Sequence, residues 1–223
     1  MGIALAGIGF RTEIQTESAA ELVSKLFNKD VAQIEAPDRG EFDIRSQGDV
    51  MVQFFDNVCF VYSHDLVWHI LSDPTIDGQQ LISVTGSPDL LLAFCQYDSG
   101  GSYGYTFFEC GARTRSRLQT TGVRGLPPIF ECGTPKEFEV HWFSASTYFE
   151  EDDCPREEWQ KIFTRDNGAI RIAEYDLTRR LLYEALLTNF GVCPWETDRG
   201  GLARSDRFSI FLSGMSEAIM LPT

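Results

Sequence analysis

Residues 3–10 (IALAGIGF) form an apolar run, interrupted by Gly7 and Gly9, that predicts a short β-strand. The period then changes. Ala19, Leu22, Val23, Leu26 and Phe27 recur at i, i+3, i+4, i+7 and i+8, the stripe of an amphipathic helix. Ser18-Ala19-Ala20-Glu21 supplies a capping box, in which Ser18 and Glu21 each satisfy an orphan backbone N–H, and Asn28 is the expected terminator. The segment 50–62 (VMVQFFDNVCFVY) is strand-like on both sides of Asp56-Asn57, a pair that tolerates the positive φ angles of a tight turn, so it predicts a β-hairpin. Ser63 stands at an N-cap position before Leu66, Val67, Ile70 and Leu71, and Ser72-Asp73-Pro74 stops that short helix.

The strongest β signal lies between 80 and 120. QLISVTG (80–86) predicts one strand, and LLLAFCQY (90–97), apolar at nearly every position, predicts a central strand covered on both faces. DSGGS (98–102) makes a turn and YGYTFFECG returns beside it. In ARTRSRLQTT (112–121), simple alternation puts Arg113, Arg115 and Arg117 on one face against Thr114, Ser116 and Leu118, and a strand this polar is expected at an edge or on a solvated face. After the break at Gly125-Leu126-Pro127-Pro128, EFEVHWFSAS (137–146) predicts another strand, with His141 on its polar side. EEDDCPREE (150–158) is expected to be an exposed loop entering a helix at Pro155. A long helix over 177–190 has Asp176 as N-cap, Leu177, Leu181, Leu182, Ala185 and Leu186 inward, and Gly191 and Pro194 past its end. RFSIFLSG (207–214) predicts a last strand. The pattern implies an α+β fold, a mixed, largely antiparallel sheet with a few amphipathic helices on it. No repeat or low-complexity linker divides the chain, so one domain is expected over 1–223.

Composition sharpens this picture. The chain has 223 residues, 43% of them apolar, with 17 Phe, 7 Tyr and 4 Trp to fill a core. At that length about 70% of the extended surface can be buried without disulfides or metals. The net charge of −14 disfavours nucleic acid and anionic membranes; it is compatible with a basic protein partner, and its ordinary role is to keep a protein in solution. No apolar run approaches the ~18 residues of a membrane span. The N-terminal MGIALAGIGFRTE lacks the basic region of a secretory signal, and Ala6 breaks the myristoylation pattern. Cys59, Cys95, Cys110, Cys132, Cys154 and Cys193 contain no C-x-x-C or C-x-x-H pair, so no zinc site is anchored and reduced thiols in a cytoplasm are expected.

Candidate chemistry is sparse. Gly100-Gly101-Ser102-Tyr103-Gly104 matches G-x-S-x-G, but a nucleophile elbow needs a helix after the Ser and the following residues alternate as a strand. His64 and His69 are five apart, about 140° around a helix, and cannot chelate one ion as an i, i+4 pair does. Gly7-x-Gly9 lacks the third glycine of a dinucleotide loop, which Thr12 replaces. No metal ligand set, cofactor motif or catalytic group is therefore assigned.

Two charge features survive. Between 111 and 130 lie Arg113, Arg115, Arg117 and Arg124 and no acid, with Glu109 and Glu131 flanking the segment as pairing candidates. Such a row could fork-bond an anion or a partner's carboxylates, or pair with the chain's own acids. The other is Glu150, Glu151, Asp152, Asp153, Glu157 and Glu158, six acids with one Arg among them, a net of −5. The leading expectation is a non-catalytic interaction module of the immunity, adaptor or inhibitor kind. The alternative is an enzyme that holds an anionic substrate on Arg113, Arg115 and Arg117, with Glu109, Glu131 or His141 as acid or base. A deep pocket receiving those arginines would favour the enzyme, and a flat or convex surface the interaction module.

Overall fold

A computed structural model describes residues 2–13, 19–35, 42–196 and 202–210. The strands are β1 (Ala4–Arg11), β2 (Val31–Gln33), β3 (Asp49–Phe55), β4 (Val58–Tyr62), β5 (Leu90–Tyr97), β6 (Ser102–Glu109), β7 (Ala112–Gln119), β8 (Ile129–Gly133), β9 (Ser146–Glu150), β10 (Gln160–Arg165), β11 (Ile170–Ala173) and β12 (Leu202–Ile210). The helices are α1 (Ala19–Phe27), α2 (His64–Ser72), α3 (Gln79–Val84), α4 (Glu137–Phe143) and α5 (Glu174–Phe190). Nine strands form one antiparallel sheet in the order β2-β12-β3-β4-β1-β5-β6-β7-β8, and three more form a small sheet in the order β11-β10-β9. This is an α+β fold. No helix among the described residues is long and apolar enough to cross a membrane.

The centre of the large sheet is the apolar run at 90–97, whose six middle residues are buried beside β1. The glycines of β1 permit close approach. A Cβ at Gly7 would stand 2.6 Å from the Val61 carbonyl oxygen, and one at Gly9 would stand 2.6 Å from the Phe60 ring. Phe60 then meets Phe94 and Phe190 edge-on, with ring centroids 6.0 and 5.8 Å apart. Helix α2 lies on one face, against β1 and β5, while α1 packs on α3, β2 and β12. Helix α5 crosses β6 and β7 on the other face and joins the small sheet to it through β10 and β11.

The hairpin at 50–62 turns at Asp56, whose φ is 50°, and α2 starts directly after Ser63, as the pattern predicts. Asn28 (φ 50°) and Gly191 (φ 74°) end α1 and α5 in left-handed conformations. Ser18 of the predicted capping box and residues 211–214 of the last predicted strand lie outside the described residues.

Four elements differ from expectation. Residues 80–84 of the predicted strand 80–86 belong to helix α3, in which Ile82 is buried, and Gly78 before it fits under Phe108, where a Cβ would be only 2.5 Å from the ring. Tertiary packing overrides β propensity there. The predicted strand 137–146 is helix α4 for its first seven residues, burying Glu139 and Trp142 three apart on one face. Helix α5 begins at Glu174, with Ala173 and not Asp176 at the N-cap. The polar strand β7 is not an edge: β6 and β8 flank it and its last five residues are buried.

Candidate functional site

The arginine row does not share a face. The β6–β7 register pairs Phe107 with Arg115 but Phe108 with Arg113, so Thr114 is an extra residue, a β-bulge that turns Arg113 over. Arg113 then reaches toward α2 and α3. Its Nη2 donates to the carbonyls of Ile70 (2.9 Å), Asp73 (3.0 Å) and Ile76 (2.9 Å), and its Nη1 donates to Ser116 Oγ at 3.0 Å. A guanidinium at a helix C-terminus satisfies carbonyls that have no partner in the helix. Burial lowers the pKa of Arg113 from its ordinary value.

Arg115 and Arg117 point to the opposite face, under α4 and α5, and are 2% and 4% exposed. Arg115 donates from Nε to Glu139 Oε1 at 2.9 Å and from Nη2 to the same oxygen at 2.7 Å, and it also reaches Glu131 at 3.0 Å. Arg117 pairs with Glu131 through Nη1 and donates from Nε to Thr178 Oγ1 at 2.8 Å. Glu139 has no solvent exposure, and its carboxylate also accepts the Tyr105 hydroxyl at 2.5 Å and the Lys136 backbone N–H at 2.6 Å. The ring of Phe143 covers both guanidiniums. Burial opposes the charge on Arg115, but the bonds and charges of Glu139, Tyr105 and Glu131 prevail and raise its pKa. Burial first, and Glu139 second, push the Tyr105 phenol well above its ordinary value.

These two arginines thus take their partners from inside the molecule. Glu131 is a partner, as the sequence suggests, whereas Glu109 bonds Lys136 at 2.7 Å instead. Glu139 was hidden because a strand reading of 137–146 separates it from the core that a helix gives it. Arg124 is exposed on the turn between β7 and β8, apart from the other three. His141 is an exposed helix residue, and neither it nor Glu109 touches the Arg115–Arg117 network. His141 and Glu109 line a shallow cleft beside α4 that none of Arg113, Arg115 and Arg117 reaches.

Ser102 opens β6, and the residues after it are a strand, so the G-x-S-x-G match is a turn into a hairpin. Among the described residues its hydroxyl makes only a long 3.4 Å bond to the Gly100 carbonyl. His64 and His69 are both exposed on α2, His64 with its Nδ1 2.7 Å from the Tyr97 hydroxyl. Among the described residues no group of three or more His, Cys, Asp or Glu is placed to hold a metal ion.

The acidic segment has a different setting. Strand β9 is at the margin of the small sheet, pairs only with β10 in that sheet, and exposes all five of its residues. Phe149 is 60% exposed there, the largest value for a large hydrophobic among the described residues. Glu150 ends the strand, and Glu151, Asp152 and Asp153 follow in exposed irregular backbone. The expected helix at Pro155 is only one 3₁₀ turn, Arg156–Glu158, in which Glu157 is exposed. Arg171, brought across from β11, bonds Glu150 at 2.6 Å, a pairing that sequence distance conceals. Glu151, Asp152, Asp153 and Glu157 take part in none of the ion pairs found among the described residues.

Comparison with protein families, with curated proteins and with solved structures finds no match to this chain.

Proposed function

We propose that the chain is a non-catalytic protein-interaction module, one acidic cytoplasmic domain whose binding edge is β9 together with the acidic segment after it. The observation that carries this reading is a marginal strand that pairs on one side only among the described residues, is exposed at every residue, and runs into a cluster of carboxylates. A free strand edge offers a row of N–H and C=O groups for pairing, and natural proteins usually cover or blunt it. Phe149 adds apolar area at the same place, and the carboxylates select a basic, extended partner segment by charge. Six free cysteines fit a reducing compartment. The competing enzyme reading loses its main support, because Arg115 and Arg117 are enclosed and Arg113 is committed to carbonyls.

The test compares wild type, Phe149→Ala, and a variant with Glu150, Glu151, Asp152 and Asp153 changed to Gln or Asn. Each is used as bait in extract from the native host. A protein held by wild type and lost from both variants supports the edge. Identical profiles for all three baits contradict it.

A further inference from the structure

Among the described residues three strands besides β9 stand at a margin of their sheet, and each is blunted in a way that β9 is not. β2 has three residues, and β11 has four and runs directly into α5. β8 follows Pro127-Pro128 and ends on Gly133 at a φ of 77°. Short strands, proline and irregular backbone are common means of closing an edge. β9 has five residues, Ser146–Glu150, none of them Pro, Gly or Lys. Its guard is charge, Glu150 and the exposed acids after it, and that guard is selective. A second copy of this chain, at −14, brings the same carboxylates and is repelled, whereas a basic strand is drawn in.

The register of β9 on β10 says how the side chains of an added strand are arranged. Phe149 stands opposite Lys161 and Thr147 opposite Phe163, a member of the main core, so these four share one face. Ser146, Tyr148 and Glu150 share the other, opposite Thr164, Ile162 and Gln160. Arg171 lies on that second face, opposite Thr164, where it bonds the Tyr148 hydroxyl and, at 2.6 Å, Glu150. The two faces offer different surroundings. On the first, Phe149 is 60% exposed, Thr147 is uncharged and Lys161 disfavours a further cation, which suits an apolar or β-branched neighbour. On the second, Glu150 is paired with Arg171, and Glu151, Asp152 and Asp153 continue beyond it, which suits Lys or Arg.

We propose, resting on the reading of β9 as a binding edge, that its occupant is a strand of alternating pattern. Apolar residues lie against Thr147 and Phe149, and Lys or Arg against Tyr148 and Glu150. The edge then recognises the order of side chains and not positive charge alone.

Fluorescence anisotropy of labelled octapeptides, titrated with the full chain at low salt, tests it. The probes are an alternating Lys-Val peptide, a block peptide of the same composition with all Lys before all Val, and alternating peptides N-methylated on Val or on Lys. The alternating peptide should bind with Kd below about 1 mM, and the block peptide about tenfold more weakly. One N-methylated form should lose far more binding than the other, because only alternate amides of an added strand face β9. Phe149→Ala and Glu150→Gln, both at exposed positions, should each erase most of the difference between alternating and block peptides. Glu13→Gln, an exposed acid beside the far end of α5, should leave it unchanged. Equal binding of alternating and block peptides, or no binding by any peptide at about 1 mM, would overturn the proposal. The edge itself would still stand if a host protein were lost from the Phe149→Ala bait, and would fall with identical bait profiles. A wild-type dimer in sedimentation that Phe149→Ala abolishes would make the occupant a second copy and also overturn the proposal.

Discussion

Nη2 of Arg115 stands 2.7 Å from Oε1 of Glu139, and the two side chains are 2% and 0% exposed. Taking two charges out of water costs several kcal/mol each, which only close geometry and additional hydrogen bonds offset. Here the second carboxylate oxygen is also occupied, by the Lys136 N–H, and the first takes the Tyr105 hydroxyl as well. The pair therefore pins α4 onto the face of β6 and β7. Removing one member should be far worse than removing both. Glu139→Ala should destabilise the fold by about 3–5 kcal/mol, while Arg115→Met with Glu139→Leu should lose much less. Urea denaturation of the single and double variants measures this, and a single-variant loss under about 1 kcal/mol would show that the charges are solvated.

Tyr105 gives the same network a pH signature. Its pKa is raised in the folded protein, mainly by burial and then by Glu139, above the value near 10 of an unfolded tyrosine. A raised pKa means the neutral phenol contributes stability that is intact below about pH 10 and lost as pH rises past it. Tyr105→Phe removes the bond to Glu139 and should be less stable than wild type at neutral pH, by about 1 kcal/mol. The difference should shrink from about pH 9.5 upward as wild type loses its advantage. Denaturation midpoints at several alkaline pH values check it, and a constant difference would place Tyr105 outside the network.

Thiol reactivity follows burial. Cys59, Cys95 and Cys193 are buried, and burial pushes the thiols of Cys95 and Cys193 up to about 12 and that of Cys59 higher still. Thiolate is the reactive form, so these three should resist an aromatic disulfide reagent at about pH 8 until the protein unfolds. Cys110, exposed in the turn between β6 and β7, should react first. Peptide mapping by mass spectrometry reads the order, and early modification of Cys95 would contradict the placement of β5 at the sheet centre.

Ser102 is expected to be inert. It opens a strand, where an elbow requires a helix whose N-terminus faces the oxyanion. A broad serine-reactive phosphonate should leave it unlabelled, and a stoichiometric adduct on Ser102 would restore the hydrolase reading.

The sheet core was readable because its signals are local. LLLAFCQY is buried along its length, Asp56-Asn57 turns a hairpin, and Gly191 stops α5 in a left-handed conformation. The errors have one source, tertiary context that a one-dimensional pattern does not contain. Simple alternation cannot see the bulge at Thr114, so three arginines at a spacing of two looked like one face. The β-branched run before Gly86 folds as α3 because α1 and Phe108 receive it. Glu139 and Trp142 are spaced for a helix face, a signal that was present in EFEVHWF but outweighed by its alternating aromatics and Val140. The acidity of 150–153 was legible; that it extends an open strand edge was not, because β9 exists only through its pairing with β10.

The proposed binding edge is tested most directly by the amide protons of β9 itself. Hydrogen–deuterium exchange is followed on the full chain, alone and with the protein that wild-type bait retains. A partner strand added at β9 would slow exchange of the amides that face away from β10, since they gain acceptors in the partner. The charge-neutralised variant should associate several-fold more slowly at low salt, with the gap closing as ionic strength rises and the screening length falls to about 8 Å or less. Protection confined to residues 146–153, with that salt dependence, is the predicted result. Unchanged exchange across β9 in a saturated complex would contradict the account.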